Sequence, residues 1–264
     1  MDGNLLLGKY AFDERSSGGC GVGGTGGSVC HVRSGFGWDD GCEGARSIVR
    51  GRSASPWGAC DPIRAVGGGA ALVHERARDV VLGIDDCEET RRIWDHPFHV
   101  ELSVRFGAEL GIRMAVRNTG SEAFDCEMAF HPYFVVGDIR KVGVRGLRGA
   151  TYISKTEGMA RKVDVAEEVR FEGETDRVYL GATGECVMEE PGRRTVFFEK
   201  SGSRSTVVWN PWVAKAAAMA DFGDEEWPRM ICVEQANAAD DALQIGAGQV
   251  FEMSAVYRVE ASPR

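Results

Sequence analysis

Residues 99–106 read HVELSVRF, and residues 110–117 read LGIRMAVR. In both stretches apolar and polar side chains alternate with a period of two, which is the pattern of a β-strand with one buried face. Gly107 lies in the short connection between them, as in a hairpin. The two stretches therefore predict an antiparallel pair of strands, and an all-β fold is the leading interpretation.

Further strand patterns follow at intervals of roughly 8–12 residues, the spacing typical of a sandwich or barrel. They lie at residues 122–130, 141–144, 194–199, 205–209, 231–234 and 249–259. Helical periodicity is confined to short stretches near residues 87–94 and 213–219. The pattern does not favour alternating strands and helices.

The chain has 264 residues, of which 43% are hydrophobic, enough for one sizeable core. Its composition changes near residue 80. Before that point, glycine-rich tracts such as GGCGVGGTGG (18–27) and GGGAA (67–71) interrupt any apolar period. We expect one domain, with residues 1–79 as its degenerate, loop-rich N-terminal part and residues 80–264 as a β-sandwich.

Bulk charge and cysteine usage narrow the class of protein. A net charge of −9 argues against a nucleic-acid binder. The eight cysteines show no C-x-x-C pair and no metal-ligand spacing with histidine, so we expect reduced thiols and no metal. No apolar run approaches the length of a membrane span, and the first residues show no secretory signal. We expect a cytoplasmic protein that does not bind membranes, and a monomer.

His131 is the first candidate for chemistry. It lies in MAFHPYF (128–134), where Pro132 lacks an amide donor and is expected to end the strand. A histidine at a strand end is well placed to face a cleft. The alternative is a hydrogen-bonded histidine of the core, which is the commoner case for a lone histidine among aromatic residues.

Glu234 is the second candidate. In MICVEQAN (230–237), alternation puts Ile231 and Val233 on one face and Cys232 and Glu234 on the other. A partly buried carboxylate has a raised proton affinity, which suits a general base near neutral pH. The alternative is an ordinary glutamate on a solvated sheet face.

Two further features are open to two interpretations. Asp176, in GETDRVY (173–179), reads as a loop acid that either caps a turn or contacts a ligand. Residues 201–212 (SGSRSTVVWNPW) bring two tryptophans to a strand end, where they either stack on a sugar or fill the core.

Taken together and in order, these tracts resemble the hexose-6-phosphate mutarotases of the aldose 1-epimerase superfamily. The resemblance covers about residue 80 to the end and rests on EETRRIWDHPF (88–98), MAFHPYF (128–134), VGDIRKVGVRG (136–146), GATYISK (149–155), GETDRVYL (173–180), EKSGSRSTVVWNPW (199–212), KAAAMADFGDEEW (215–227) and MICVEQANA (230–238). It implies an antiparallel β-supersandwich of the galactose-mutarotase type, with sugar bound across one sheet.

The resemblance also implies roles for three residues. His131 matches the histidine of the family's H-x-Y-F tract, Glu234 the glutamate of its C-V-E tract, and Asp176 an acid that contacts sugar hydroxyls. His131 and Glu234 would be the acid–base pair that interconverts the α and β anomers of a hexose 6-phosphate. The implied reaction needs neither a metal nor an organic cofactor.

The chain departs from this family upstream of residue 80. Where family members carry arginine-containing tracts that bind phosphate, residues 25–30 read TGGSVC and residues 49–57 read VRGRSASPW. Thr25 stands in place of an arginine, and we assign no phosphate-binding role to Arg50 or Arg52. The alternatives to an active epimerase are therefore a catalytically impaired relative that binds sugar phosphates, and a remnant without an intact cleft.

Overall fold

A computed structural model describes residues 5–12, 64–65 and 78–262 of the chain. The glycine-rich tracts 18–27 and 67–71 and the departing tracts 25–30 and 49–57 lie outside the described residues. The division of the chain at residue 80 stays a prediction.

The described residues form two large sheets and a two-stranded ribbon. The seven-stranded sheet contains, in spatial order, β1 (Leu5–Phe12), β7 (Met128–Val135), β16 (Met230–Asn237), β15 (Ser205–Asn210), β12 (Thr175–Tyr179), β9 (Thr151–Ser154) and β10 (Ala160–Val163). The nine-stranded sheet contains β11 (Glu168–Val169), β8 (Gly143–Arg145), β13 (Cys186–Glu190), β14 (Arg194–Ser201), β18 (Val250–Ala261), β5 (Leu110–Asn118), β4 (Phe98–Phe106), β3 (Arg78–Asp85) and β2 (Arg64–Ala65). The ribbon pairs β17 (Leu243–Ile245) with β6 (Phe124–Cys126).

The predicted all-β class is confirmed. The hairpin predicted around Gly107 is β4–β5, whose register runs from Phe98 opposite Asn118 to Phe106 opposite Leu110. Among the described strands, the β1–β7 pair is parallel and every other pair is antiparallel. The fold is therefore an antiparallel sandwich with one parallel addition at the end of the seven-stranded sheet.

The main hydrophobic core lies between the two large sheets. Phe134 of β7 contacts Phe198 of β14 and Tyr257 of β18, with ring centroids 5.2 Å and 5.6 Å apart. The Tyr257 hydroxyl donates a 2.5 Å hydrogen bond to Oε1 of Gln235 on β16, so this buried polar pair is satisfied. The inward face of β16 is thus fixed by both apolar packing and a hydrogen bond across the sandwich.

A smaller apolar cluster covers the opposite, outer face of the seven-stranded sheet. It consists of Ala129, Ile153, Val178, Val207, Trp209, Met230, Cys232 and Ala236. Met219 and Phe222, which follow α2 (Trp212–Ala218), pack against this cluster. Apolar side chains therefore pack on both faces of this sheet, although the smaller cluster covers only part of the outer face.

Two sequence expectations about β7 need correction. Residues 122–130 are not one strand, because β6 and β7 belong to different sheets. Nor does Pro132 end its strand, since β7 continues to Val135. The pairing of β7 with β16 is interrupted between Phe130, which is opposite Gln235, and Tyr133, which is opposite Cys232. The missing amide of Pro132 therefore leaves only a local gap. His131 lies within the strand.

Helices are few among the described residues, as expected. They are α1 (Glu88–Arg91), α2 and single 3₁₀ turns at Ile139–Lys141, Lys155–Glu157, Trp227–Arg229 and Ala239–Asp241. None of them has both the length and the apolar character needed to cross a bilayer. Cys126, Cys186 and Cys232 are free and buried.

Truncation of Ile231 tests the inter-sheet core. Ile231 is fully buried between the sheets, so Ile231→Ala removes apolar contacts and leaves a cavity. We expect a loss of about 2–5 kcal/mol in the free energy of unfolding, measured by urea denaturation. The matched control, Ile93→Ala, removes a side chain that is 61% exposed and should change the free energy by about 0.5 kcal/mol or less. Equal losses in both variants would contradict this core assignment.

Candidate active site

His131 and Glu234 meet on the outer face of the seven-stranded sheet. Strands β7 and β16 pair with Cys232 opposite Tyr133, and two residues further along each strand this register brings Glu234 opposite His131. His131 Nε2 lies 3.2 Å from Glu234 Oε1. The His131 side chain is 21% exposed and that of Glu234 is 7% exposed, so the carboxylate is the more deeply buried of the two.

The alternation predicted for β16 places these side chains correctly. Ile231 and Val233 belong to the inter-sheet core, whereas Cys232 belongs to the outer cluster, on the same face as Glu234. The carboxylate is therefore held by a strand whose other face is anchored in the core. Such a support keeps a reactive group fixed in direction.

Aromatic rings surround the imidazole. Tyr133, two residues after His131 on the same face, stacks on it with centroids 5.0 Å apart and ring planes 14° apart. Trp209 of β15 meets the imidazole nearly edge-on at 5.7 Å and Tyr133 at 5.8 Å. Phe222 contacts Trp209 in turn, at 6.4 Å. The histidine thus lies in an aromatic enclosure whose faces suit a sugar ring.

Asp176 lies on the same sheet but at a distance from the pair. Its register partner on β15 is Trp209, and Trp209 is opposite Cys232 on β16. Neighbouring strands are about 4.8 Å apart, so Asp176 is two strands, or roughly 10 Å, from the strand that carries Glu234. Asp176 belongs to β12 and not to a loop, which corrects the sequence interpretation.

Lys155 connects Asp176 electrostatically with Glu234. Lys155 Nζ lies 3.5 Å from Asp176 Oδ1. Burial raises the pKa of Asp176, and the charges of Lys155 and Lys215 oppose that shift. The positive charge near Asp176 therefore comes from Lys155, the first residue of the turn after β9, and at longer range from Lys215 of α2.

Burial dominates the electrostatics of Glu234. Removal from water raises the pKa of its carboxyl to about 8; Lys155 opposes this shift and Asp176 adds to it. A carboxyl that exchanges its proton near neutral pH, in contact with an imidazole, can both accept and return a proton. This is the chemical capability of the site.

The sequence indicated His131, Glu234, Asp176 and Trp209 but not Tyr133 or Lys155. Tyr133 was recognisable in principle, because residues i and i+2 of a strand share a face and it follows His131 by two. Lys155 had no such signal, since it lies where the chain leaves β9 and its contact with Asp176 depends on the pairing of β9 with β12. In residues 78–262, no group of three or more His, Cys, Asp or Glu side chains is arranged to hold a metal ion.

Known proteins share both the sequence and the fold. Residues 73–258 match the family described as aldose 1-epimerase. The chain is 38% identical over 168 residues to a protein of Cenchrus ciliaris named "Putative glucose-6-phosphate 1-epimerase", covering 62% of this chain and 51% of that protein. It is 32% identical over 170 residues to a protein of the same name from Escherichia coli K12, covering 63% of this chain and 56% of that one. The chain thus spans about half the length of these curated relatives.

A solved structure supports the same grouping. The crystal structure of a protein described as a "putative mutarotase" from Salmonella typhimurium superposes with a TM-score of 0.65 at 26% identity, covering 70% of this chain and 61% of that one. The fold and the outer-face site define a β-sandwich of the galactose-mutarotase type. Because the family match covers more than half of the chain, this protein belongs to the aldose 1-epimerase family.

The buried carboxylate should make stability depend on pH. The folded-state pKa of Glu234 lies above its ordinary value of 4.5, so the folded protein binds this proton more tightly than the unfolded chain does. The resulting stability is present below about pH 4.5 and is lost as the pH rises through about 8. Relative to Glu234→Gln, the free energy of unfolding should fall over this range by a few kcal/mol, at about 1.4 kcal/mol per pKa unit. Urea unfolding of both proteins across the range measures it, and parallel pH curves would refute the burial argument.

Proposed function

We propose that this protein interconverts the α and β anomers of a hexose 6-phosphate by acid–base opening and closing of the sugar ring. The observation that carries the proposal is the 3.2 Å contact between His131 Nε2 and Glu234 Oε1 on one face of the sheet. Membership of the aldose 1-epimerase family supports the same class of reaction.

The reaction requires two proton transfers at neighbouring oxygens. Ring opening removes a proton from O1, breaks the C1–O5 bond and adds a proton to O5; rotation about C1–C2 and the reverse steps give the other anomer. O1 and O5 are bonded to the same carbon. A donor and an acceptor held within hydrogen-bond distance of each other can therefore serve both oxygens from one side.

We assign the base to Glu234 and the acid to His131. Glu234 takes the O1 proton, while His131 as imidazolium protonates O5, and the roles reverse on closure. The raised pKa of the buried Glu234 carboxyl, about 8, suits a group that must take up and release a proton near neutral pH. Because the two side chains are in contact, their protons are lost in steps that belong to the pair.

The rest of the outer face offers ways to hold the sugar. Trp209 presents an aromatic ring beside the pair, which favours the apolar face of a pyranose. Asp176 accepts hydrogen bonds and lies on the far side of Trp209, where ring hydroxyls would reach it. We therefore propose that Asp176 binds sugar hydroxyls.

The proposal of a phosphorylated substrate has separate support. The curated relatives carry glucose 6-phosphate in their names, and within residues 78–262 Lys155 and Lys215 supply positive charge at the Asp176 end of the site. An ammonium group binds phosphate as a point charge, without the two-bond geometry of arginine.

Removal of either member of the pair tests the chemistry. Positioned proton transfer contributes about 10²–10⁴-fold, so Glu234→Gln and His131→Asn should each lower kcat by that factor. Magnetisation-exchange NMR of glucose 6-phosphate, corrected for the rate in buffer, measures the anomer exchange. Glu260→Gln makes the same chemical change on β18 of the other sheet and should leave kcat unchanged. A folded wild-type protein that gives no acceleration would exclude this function.

Comparison of substrates tests the phosphate. We expect kcat/KM for glucose 6-phosphate to exceed that for glucose, and Lys155→Met to reduce the ratio between them because one positive charge is lost. Thermal unfolding with each sugar provides an independent measure of binding. Stabilisation by glucose 6-phosphate without accelerated exchange would favour the impaired, sugar-phosphate-binding relative instead. Equal kcat/KM values for glucose 6-phosphate and glucose would contradict the proposal of a phosphorylated substrate.

A further inference from the structure

Tyr133 has a geometric relation to the proposed acid that sugar binding does not require. Its ring lies face to face with the imidazole of His131, with a centroid distance of 5.0 Å and an interplanar angle of 14°. The two residues are i and i+2 on β7, so the pleat of the strand itself directs both side chains to the same face. The stack is therefore built into the strand that carries the acid.

We propose that Tyr133 is a positioning residue for His131, whose ring face stabilises the imidazolium form and keeps Nε2 directed at Glu234. This inference rests on the proposed function, in which His131 acts as the acid. The face of an aromatic ring carries negative potential and attracts a cation within about 6 Å of its centroid. The observed stack lies within that distance.

The environment of Tyr133 keeps its ring neutral and in contact with the imidazole. Burial raises the pKa of the Tyr133 phenol, and the nearby Cys232, Glu234 and Asp221 raise it further. The phenol therefore stays protonated over the range in which imidazoles titrate. Trp209 approaches both rings nearly edge-on, at 5.7 Å and 5.8 Å, and so limits sideways movement of the stack.

Other charged groups also act on His131 and have to be separated from the stack. The titratable groups of β16 on this face are Glu234 and Cys232. On β1, the register partner of His131 is Lys9. Asp221 lies near Tyr133, and Lys155 and Asp176 act through Glu234. Glu234 is in direct contact with the imidazole.

A comparison of three proteins tests the proposal. The titration midpoint of the His131 imidazole is measured by ¹H–¹⁵N NMR of the full chain in wild type, Tyr133→Phe and Tyr133→Leu. The Phe variant keeps the ring face and should keep the midpoint. The Leu variant removes the face, and its midpoint should fall by about 0.4–1.5 pH units, the range expected for loss of a cation–π contact. The same three proteins made with Glu234→Gln give the titration midpoint of the imidazole in the absence of its carboxylate partner.

Activity supplies a second readout. In Tyr133→Leu, the alkaline limb of the kcat profile for anomer exchange should move to lower pH by the same amount, while KM for glucose 6-phosphate stays close to the wild-type value. A change in KM alone would assign Tyr133 to sugar binding and overturn the proposal. An unchanged midpoint in a folded Leu variant would overturn it as well.

Two provisions keep the test decisive. If Tyr133→Leu does not fold, phenylalanine with increasing ring fluorination at position 133 keeps the shape and weakens the negative face, so the midpoint should fall stepwise. The NMR titration needs no turnover, so it also separates the two proposals. If the midpoint shifts but the wild-type protein does not exchange anomers, the positioning role of Tyr133 is kept and the proposed function is rejected. If the wild-type protein is active but the midpoint does not shift, the proposed function is kept and the positioning role is rejected.

Discussion

The contact between His131 and Glu234 depends on one strand register. Side chains of a strand alternate between faces, so a slip of one residue between β7 and β16 would turn one member of the pair into the sandwich. Two features on the inward side hold that register. Ile231 and Val233 are buried in the inter-sheet core, and the Gln235–Tyr257 hydrogen bond ties β16 to the opposite sheet. The site on the outer face therefore exists because the inner face packs in one way.

A buried carboxylate is costly, and the neighbouring charges show how this protein accommodates it. Desolvation raises the proton affinity of Glu234, and the negative charge of Asp176 acts in the same direction. Lys155, which pairs with Asp176, opposes both effects. Without such a cation the carboxyl would hold its proton more tightly and would be a poorer base at neutral pH. Lys155 is thus part of the electrostatic setting of the pair.

Local pattern was enough to predict several strands, among them β4 and β5, and the faces of β16, because period-two alternation follows directly from the geometry of a strand. It was not enough for Pro132, since whether a missing amide ends a strand depends on which neighbours the strand has. In β7 the neighbouring strands continue on both sides, and the gap is local. Asp176 was assigned to a loop because Gly173 and an acidic residue weaken the strand signal, which pairing with β15 overrides. The place of Lys155 depends on contacts between strands far apart in sequence, which local pattern does not report.

The inward face of β16 stabilises the fold, and its outward face carries a residue of the candidate site. The inward residues Ile231 and Val233 contribute apolar burial, while the outward Glu234 reduces stability at the pH where its proton is released. Substitutions on the outer face can therefore alter the site without opening the core, and a loss of activity there need not reflect unfolding. The same separation applies to β7, where Phe134 packs inward and His131 and Tyr133 lie outward. A sandwich in which adjacent residues of one strand serve opposite faces can hold a partly desolvated acid–base pair, because the inward residues beside the pair anchor the strands that carry it.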